Sequence, residues 1–257
     1  RKWVLRCVGL LAVASSAFAE ESWLARDGRA VAQIVIPEAA TSVERTAAQE
    51  LRQHLDAVTG AAFALVTEAA PKNGPRLLVG NTEASRKLVP GFLAAQAAYD
   101  SILLKTVGDE VILAGHPQRG ALYAVYTYLE DVVGVRWWTS DETFIPRRAN
   151  LTLPKLEVRY APKLRFRESY YLDTFNALFK TRLKGNVSSR TRYMLAPMEM
   201  IPEAYGGNHR LIHFRGRNSA YHSFYELVPP KVYFDRHPEW FSEIKGTRTH
   251  KGAQLCL

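Results

Sequence analysis

Between Ala30 and Gly60 the apolar period changes from two to 3.6 across a single proline, and this change commits the chain to an α/β fold. Ala30–Ile36 (AVAQIVI) alternates and is rich in β-branched residues, and Pro37, with no N–H to give a ladder, closes it as a strand. Thr41-x-x-Glu44 then has the form of a capping box. Val43, Ala47, Leu51, Leu55 and Val58 follow at helical spacing, and Gly60 stops the helix. A half-apolar strand beside a helix with one apolar stripe is stable only when the two bury against each other.

The same reading predicts strands over 63–66 and 76–79. Two more, over 101–107 and 110–114, flank Gly108-Asp109, a two-residue hairpin signature. A second helix is expected from Gln118 to Val133, with Leu122, Val125, Leu129 and Val132 inward and Gly134 past its end. Val135–Trp138 reads as a short aromatic strand. This order predicts an α+β domain over residues 20–158, a sheet carrying two helices on one face. The loop Gly115–Gly120 sits between strand and helix, where phosphate loops occur, but lacks their Gly-Lys-Ser/Thr ending and reads as a turn feeding a helix. Residues 20–150 show no catalytic grouping.

Pro146, Pro154 and Pro162 break up 141–162 into a linker or edge-strand passage. From Lys163 the pattern predicts a strand over 164–171, a helix over 174–184 with Phe175, Leu178, Phe179 and Leu183, and a strand over 209–214. Trp240-Phe241 and Leu255-Cys256-Leu257 mark further buried pieces.

The first nineteen residues are of another kind. Arg1, Lys2 and Arg6 form a basic head, Cys7–Ala14 is apolar, and Ala17-Phe18-Ala19 precedes Glu20-Glu21. This is the pattern of a secretory signal cleaved after Ala19, with an apolar run well short of the ~20 residues a membrane span needs. The chain is expected to be exported, periplasmic or extracellular, with no membrane anchor after cleavage. Cleavage removes three of 34 basic residues and lowers the formal charge from +9 to +6. That surplus is spread out, not gathered in the stripe that nucleic acid requires, so no nucleic-acid partner is expected. Cys256 alone remains after cleavage, which excludes an internal disulfide. Arg1 stands where an initiator Met is expected and Leu257 closes an apolar run, so the chain is expected to be part of a longer one.

Two sets of residues carry a family resemblance. The first runs Ala48-x-Glu50-Leu51-x-x-His54-Leu55-x-x-x-Thr59-Gly60, then Leu78-Val79-Gly80. It continues as Gly115-x-x-x-Arg119-Gly120-Ala121-Leu122-Tyr123-Ala124-Val125-Tyr126-x-x-Leu129-Glu130 and Gly134-Val135-Arg136-Trp137-Trp138. It resembles the accessory N-terminal domain that precedes the catalytic barrel of α-glucuronidases and β-hexosaminidases. The second runs Leu227-Val228-Pro229-Pro230-x-x-Tyr233-Phe234-x-x-His237-Pro238-Glu239-Trp240-Phe241, then Gly246-x-Arg248 and Gln254-Leu255-Cys256-Leu257. It resembles an uncharacterised bacterial family, a domain of unknown function grouped with glycosidase barrels. The resemblance implies the first β/α units of a (β/α)₈ barrel over 159–257, a stretch far short of the about 250 residues a full barrel takes.

Glycoside hydrolysis usually uses two carboxylates, about 5–5.5 Å apart for retention and roughly 6.5–9.5 Å for inversion. In the barrels this chain resembles they lie on middle and later strands, which puts them beyond Leu257. The early strand ends could still line a sugar pocket. Arg167 and Glu168 end the first expected strand, Asn186 follows its helix, and His222 lies in the loop after the second; these four are the expected substrate-binding residues. An Arg fork can grip hydroxyl pairs or a uronate, although a surface pair with Glu168 competes with that role. Tyr170, Tyr171 and Tyr221 could stack on sugar rings, against a default of core packing. His209 and His213 sit four apart on an expected strand, too far apart for joint metal binding unless the strand bends, so neither metal nor cofactor is expected. His237-Pro238-Glu239 reads as a turn with Trp240-Phe241 buried behind it.

Overall fold

The computed structural model describes residues 22–91, 98–169, 171–187, 199–208 and 224–251. The chain divides into two units, one ending at Asn208 and one beginning at His209.

In the first unit the strand expected over 30–36 forms in two pieces. β1 (Trp23–Arg26) pairs with β2 (Arg29–Ala30) around a turn, and Val31 and Ala32 both donate backbone bonds to Leu24 O before β3 (Gln33–Ile36) enters a larger sheet. α1 (Ser42–Thr59) opens on the expected capping box: Thr41 Oγ1 accepts from Glu44 N at 3.2 Å and Glu44 Oε2 accepts from Thr41 N at 2.8 Å. Gly60 closes the helix at φ 73, a left-handed value that glycine adopts without Cβ strain. β4 (Ala64–Thr67) and β5 (Arg76–Val79) follow, then α2 (Glu83–Leu88), which Thr82 caps. β6 (Ile102–Val107) and β7 (Glu110–Gly115) form the expected hairpin, with Gly108 at φ 60. α3 (Gly120–Thr127) runs on through a π-helical turn to Val133 and ends on Gly134 at φ 90. β8 (Arg136–Trp137) pairs with β9 (Thr143–Phe144), β10 (Leu151–Thr152) returns to β1, and β11 (Glu157–Tyr160) closes the series.

The main sheet has the order β11-β6-β7-β5-β3-β4. β4, β3, β5 and β7 run parallel, β6 is antiparallel to β7 and β11 is antiparallel to β6, giving a mixed α/β architecture. Strand alternation sorts the core into two layers. Ile34, Ile36, Leu77, Val79, Leu104, Val111 and Leu113 join the apolar stripes of α1 and α3, including Leu51, Leu55, Leu122 and Val125. Val35, Leu78, Leu103, Ile112 and Ala114 form the other layer, with Ala84 and Leu88 of α2 against it. Each fully enclosed Leu or Ile contributes about 1.5–3 kcal/mol over its exposed state. At the foot of the sheet the register sets Arg76 beside Glu110, and the two form a forked pair at 2.7–3.0 Å with Lys72 2.9 Å from the same carboxylate.

Residues 163–187 depart from the expectation. Residues 164–169 form no strand, and a 3₁₀ turn (Leu172–Phe175) precedes a short α4 (Ala177–Arg182) that Asn176 caps. The reason is physical: Leu164 and Phe166 find no sheet face and stay exposed, while Arg167 bonds back to local carbonyls instead of crossing a ladder. β11 spans the expected domain boundary and belongs to the first sheet. Past Tyr160, the strand pairing among the described residues is an antiparallel hairpin; the strand expected over 209–214 lies outside the described residues, so the opening of a parallel barrel is not shown.

In the second unit, α5 (Phe224–Leu227) and α6 (Pro230–Tyr233) precede a 3₁₀ turn at Pro238–Trp240 and the hairpin β12 (Glu243–Ile244) and β13 (Thr247–Arg248). Lys245 and Gly246 both take positive φ in its turn. Phe241 is buried against Tyr225 and Phe234, as expected, but Trp240 is half exposed, with its ring stacked on His237 at 4.0 Å.

Candidate functional site

Two of the residues expected to bind sugar, Arg167 and Asn186, come together on a carboxylate the sequence did not single out. Asp100 lies in the turn before β6 at φ 54, with its side chain wholly enclosed. Its Oδ1 accepts from Arg119 Nη1 at 3.2 Å, and its Oδ2 accepts from Arg167 Nη2 at 2.6 Å and Asn186 Nδ2 at 3.0 Å. Arg167 also donates from Nε to Lys184 O and from Nη1 to Leu164 O, both at 2.8 Å. Its backbone N–H gives to Asn186 Oδ1, and Asn186 Nδ2 gives to Arg165 O. Arg119 extends the network to Gly207 O at 2.7 Å, and Gln118 bonds Gly206 O at 2.9 Å.

Arg167 thus spends its donors on Asp100 and on two local carbonyls, which leaves no open fork for a uronate. The junction ties the turn before α3 to residues 164–186 and to the 206–207 turn. Glu168 lies apart from Asp100, facing Lys180 at 4.0 Å, and burial lowers the Lys180 pKa. Tyr171 is exposed. His222 lies outside the described residues, as do His209, His213, Tyr170 and Tyr221.

Glu239 is fully exposed, and its carboxyl is held below the usual range by its own backbone N–H and by His237, 3.1 Å away. A general acid needs the opposite shift, since it must keep its proton near neutral pH. The turn reading of His237-Pro238-Glu239 therefore fits this geometry better than the catalytic one.

A polar cleft of about 370 Å³ lies at the carboxyl ends of β3, β5 and β7. Glu38 and Ala39 border it after β3, Gly80 and Asn81 after β5, and Gly115 and His116 after β7. Glu44 fixes the wall, because its Oε1 accepts from Asn81 N at 2.8 Å while Oε2 serves the cap. A Cβ on Gly80, at φ 86, would stand 2.3 Å from that Oε1. Burial lowers the His116 pKa, so its imidazole is neutral at neutral pH. The loop signal at Gly115–Gly120 pointed to this edge, but Glu38, Glu68 and Arg86 fall outside any motif.

Residues 20–128 match the family described as Glycosyl hydrolase family 67 N-terminus, and residues 137–257 match the Domain of unknown function DUF4838. The chain carries these two domains in that order, and the resemblance of its two motif sets is borne out. Two solved structures are similar in part. The family GH115 4-O-methyl-α-glucuronidase BtGH115A, with specificity for decorated arabinogalactans, is 18% identical with a TM-score of 0.44, over 55% of this chain and 19% of its own. CpGH84D is 15% identical with a TM-score of 0.33, over 57% of this chain and 23% of its own. The chain spans about a fifth of the length of either. No curated protein matches it.

Proposed function

We propose that the chain belongs to an exported glycoside-hydrolase-like protein acting on polysaccharide or glycoconjugate sugars, with the acid pair of that reaction outside residues 1–257. The observation that carries this reading is the succession of the two matched domains, the first of glycoside-hydrolase type. Arg1–Ala19, with its basic head and A-x-A ending, supports export to the periplasm or beyond. A barrel formed with further sequence remains part of the proposal, as does a sugar contact by His222.

A second reading, a non-catalytic carbohydrate-binding or surface-structural protein, is favoured by the state of several carboxylates after residue 159. Asp173 is bound to Ser140, Glu199 to Ala177 N, and Glu243 to Arg248. Neither reading calls on a metal or cofactor.

Co-sedimentation of the purified chain with insoluble cell-wall polysaccharides, followed by a reducing-sugar assay, separates the outcomes. Sedimentation without sugar release is expected. Sugar release would put the acid pair within these residues, and absence of both would overturn a carbohydrate role.

A further inference from the structure

The cleft at the carboxyl ends of β3, β5 and β7 occupies a defined place in the topology. β3 leads into α1, whose stripe packs in one core layer, whereas the neighbouring strand β5 leads into α2, packed in the other. Adjacent parallel strands whose connections leave to opposite faces open a crevice at their carboxyl ends, the position where open α/β sheets bind ligands. The cleft lies in that crevice, and its volume falls at the small end of the range for small-molecule sites.

Its lining selects the chemistry of an occupant. Glu38, Glu44 and Glu68 surround the space together with the guanidinium of Arg86. The balance is negative, so a phosphate or carboxylate is repelled, even though glycines and a strand-to-helix turn border the cleft. Glu38 accepts from Ala69 N and from the Thr67 side chain, and Glu68 from Glu83 N, which fixes both carboxylates while leaving lone pairs on each to accept. Arg86 bonds Asn81 O through Nη1, and His116 Nδ1 accepts from Gln118 N. Among the described residues, Arg86 Nε and Nη2, Asn81 Nδ2 and His116 Nε2 make no hydrogen bond. Pro37, Ala39 and Pro117 supply apolar surface between these polar groups. Alternating fixed acceptors, free donors and small apolar patches match a ring that presents hydroxyls at its rim and C–H groups on its faces.

We infer that this cleft is a binding site for one neutral sugar ring, gripped by Glu38 and Glu68 as acceptors and by Arg86 and His116 as donors. The choice of a sugar over another neutral polyol rests on the carbohydrate reading above; the site itself rests on the cleft.

Saturation-transfer NMR on the whole chain tests it, with D-xylose, D-glucose and N-acetyl-D-glucosamine as probes, D-glucuronate and glycerol as comparisons, and inorganic phosphate as an added competitor. At least one neutral sugar is expected to give transfer that added phosphate does not reduce, while glucuronate and glycerol give none. Ala39→Trp, which fills the cleft from an exposed turn, is expected to abolish the signal. Arg86→Ala, at an exposed position, should weaken binding about tenfold, the loss of one charge-assisted hydrogen bond. A sugar signal unchanged in both variants, preferential transfer to glucuronate, or displacement of the sugar by phosphate overturns the site. Transfer to glycerol as strong as to the sugars overturns the assignment to sugar. If the chain sediments with polysaccharide but none of the sugars gives transfer, the cleft site fails and the carbohydrate reading stands. If sedimentation fails as well, both fall.

Discussion

The carboxylate of Asp100 and the guanidinium of Arg119 meet at 3.2 Å with no exposed surface on either side chain. Two charges so enclosed lose their hydration, and the pair is tolerated only because Arg167 and Asn186 complete the carboxylate while Gly207 O takes a second guanidinium nitrogen. Asp100→Ala strands Arg119 as an uncompensated buried charge and is expected to cost about 3–5 kcal/mol. Arg167→Ala, which removes a partner from the more open side of the junction, should cost less. Urea denaturation of the two variants checks the order, and an Asp100→Ala loss no larger than that of Arg167→Ala would show the junction to be solvated.

Gly115 and Gly120 bring β7 and α3 into backbone contact. A Cβ on Gly120 would lie 2.3 Å from Gly115 C and 2.6 Å from Ser101 O, and backbone atoms cannot swing aside as a side-chain tip can. Gly120→Ala is expected to destabilise the fold by about 1–3 kcal/mol, in the range of core overpacking, although alanine is the better helix former. Thermal unfolding by circular dichroism measures it; an unchanged midpoint would mean that the turn relaxes freely.

Thr41 and Glu44 do unequal work in the capping box. Thr41→Ala removes one cap acceptor and is expected to cost about 1 kcal/mol. Glu44→Ala removes that reciprocal bond and also the acceptor of Asn81 N, which joins α1 to the end of β5. Its loss should therefore exceed that of Thr41→Ala, and the double variant should fall short of the sum because the two residues share bonds. Chemical denaturation of the three variants completes the cycle.

How much of this was legible in the sequence differs between the two halves of the chain. In the first, Pro37, Gly60, Gly108 and Gly134 sit where periodicity breaks, and local chemistry agrees with tertiary packing at each of them. α2 escaped notice because six residues carry too little periodicity, although Thr82 caps it. Asp100 escaped because one acidic residue in a loop has no pattern, and its partners Arg119, Arg167 and Asn186 are 19–86 positions away. Past Pro162 the alternation of Leu164 and Phe166 imitates a strand, but alternation specifies a strand only where a sheet face receives it. At the cleft, Gly80, Gly115 and Gly120 were visible as residues, whereas convergence of Glu38, Glu68 and Arg86 depends on strand order, which composition does not encode.

His54 is expected to contribute to the acid response of the first unit. Its ring is buried on α1, Nδ1 lies 2.8 Å from Glu50 O, and its edge meets Trp137 with centroids 5.6 Å apart. Burial pushes the imidazole below its ordinary pKa, the carbonyl and carboxylate of Glu50 oppose that shift, and Arg182 adds to it. An imidazole whose folded pKa lies below its unfolded value of about 6.5 binds fewer protons folded than unfolded. Stability is therefore intact above that value and declines as pH falls from about 6.5 toward the folded pKa. His116 shifts in the same direction, so the informative quantity is the difference between wild type and His54→Gln. Glutamine keeps a donor for Glu50 O but takes up no proton. Its stability, measured by urea denaturation at pH 7.5, 6.5 and 5.5, should decline less steeply than that of the wild type, the gap between the two narrowing toward the acid end. Parallel curves would mean that His54 ionises in the folded state as freely as in the unfolded chain, and that the acid response lies elsewhere.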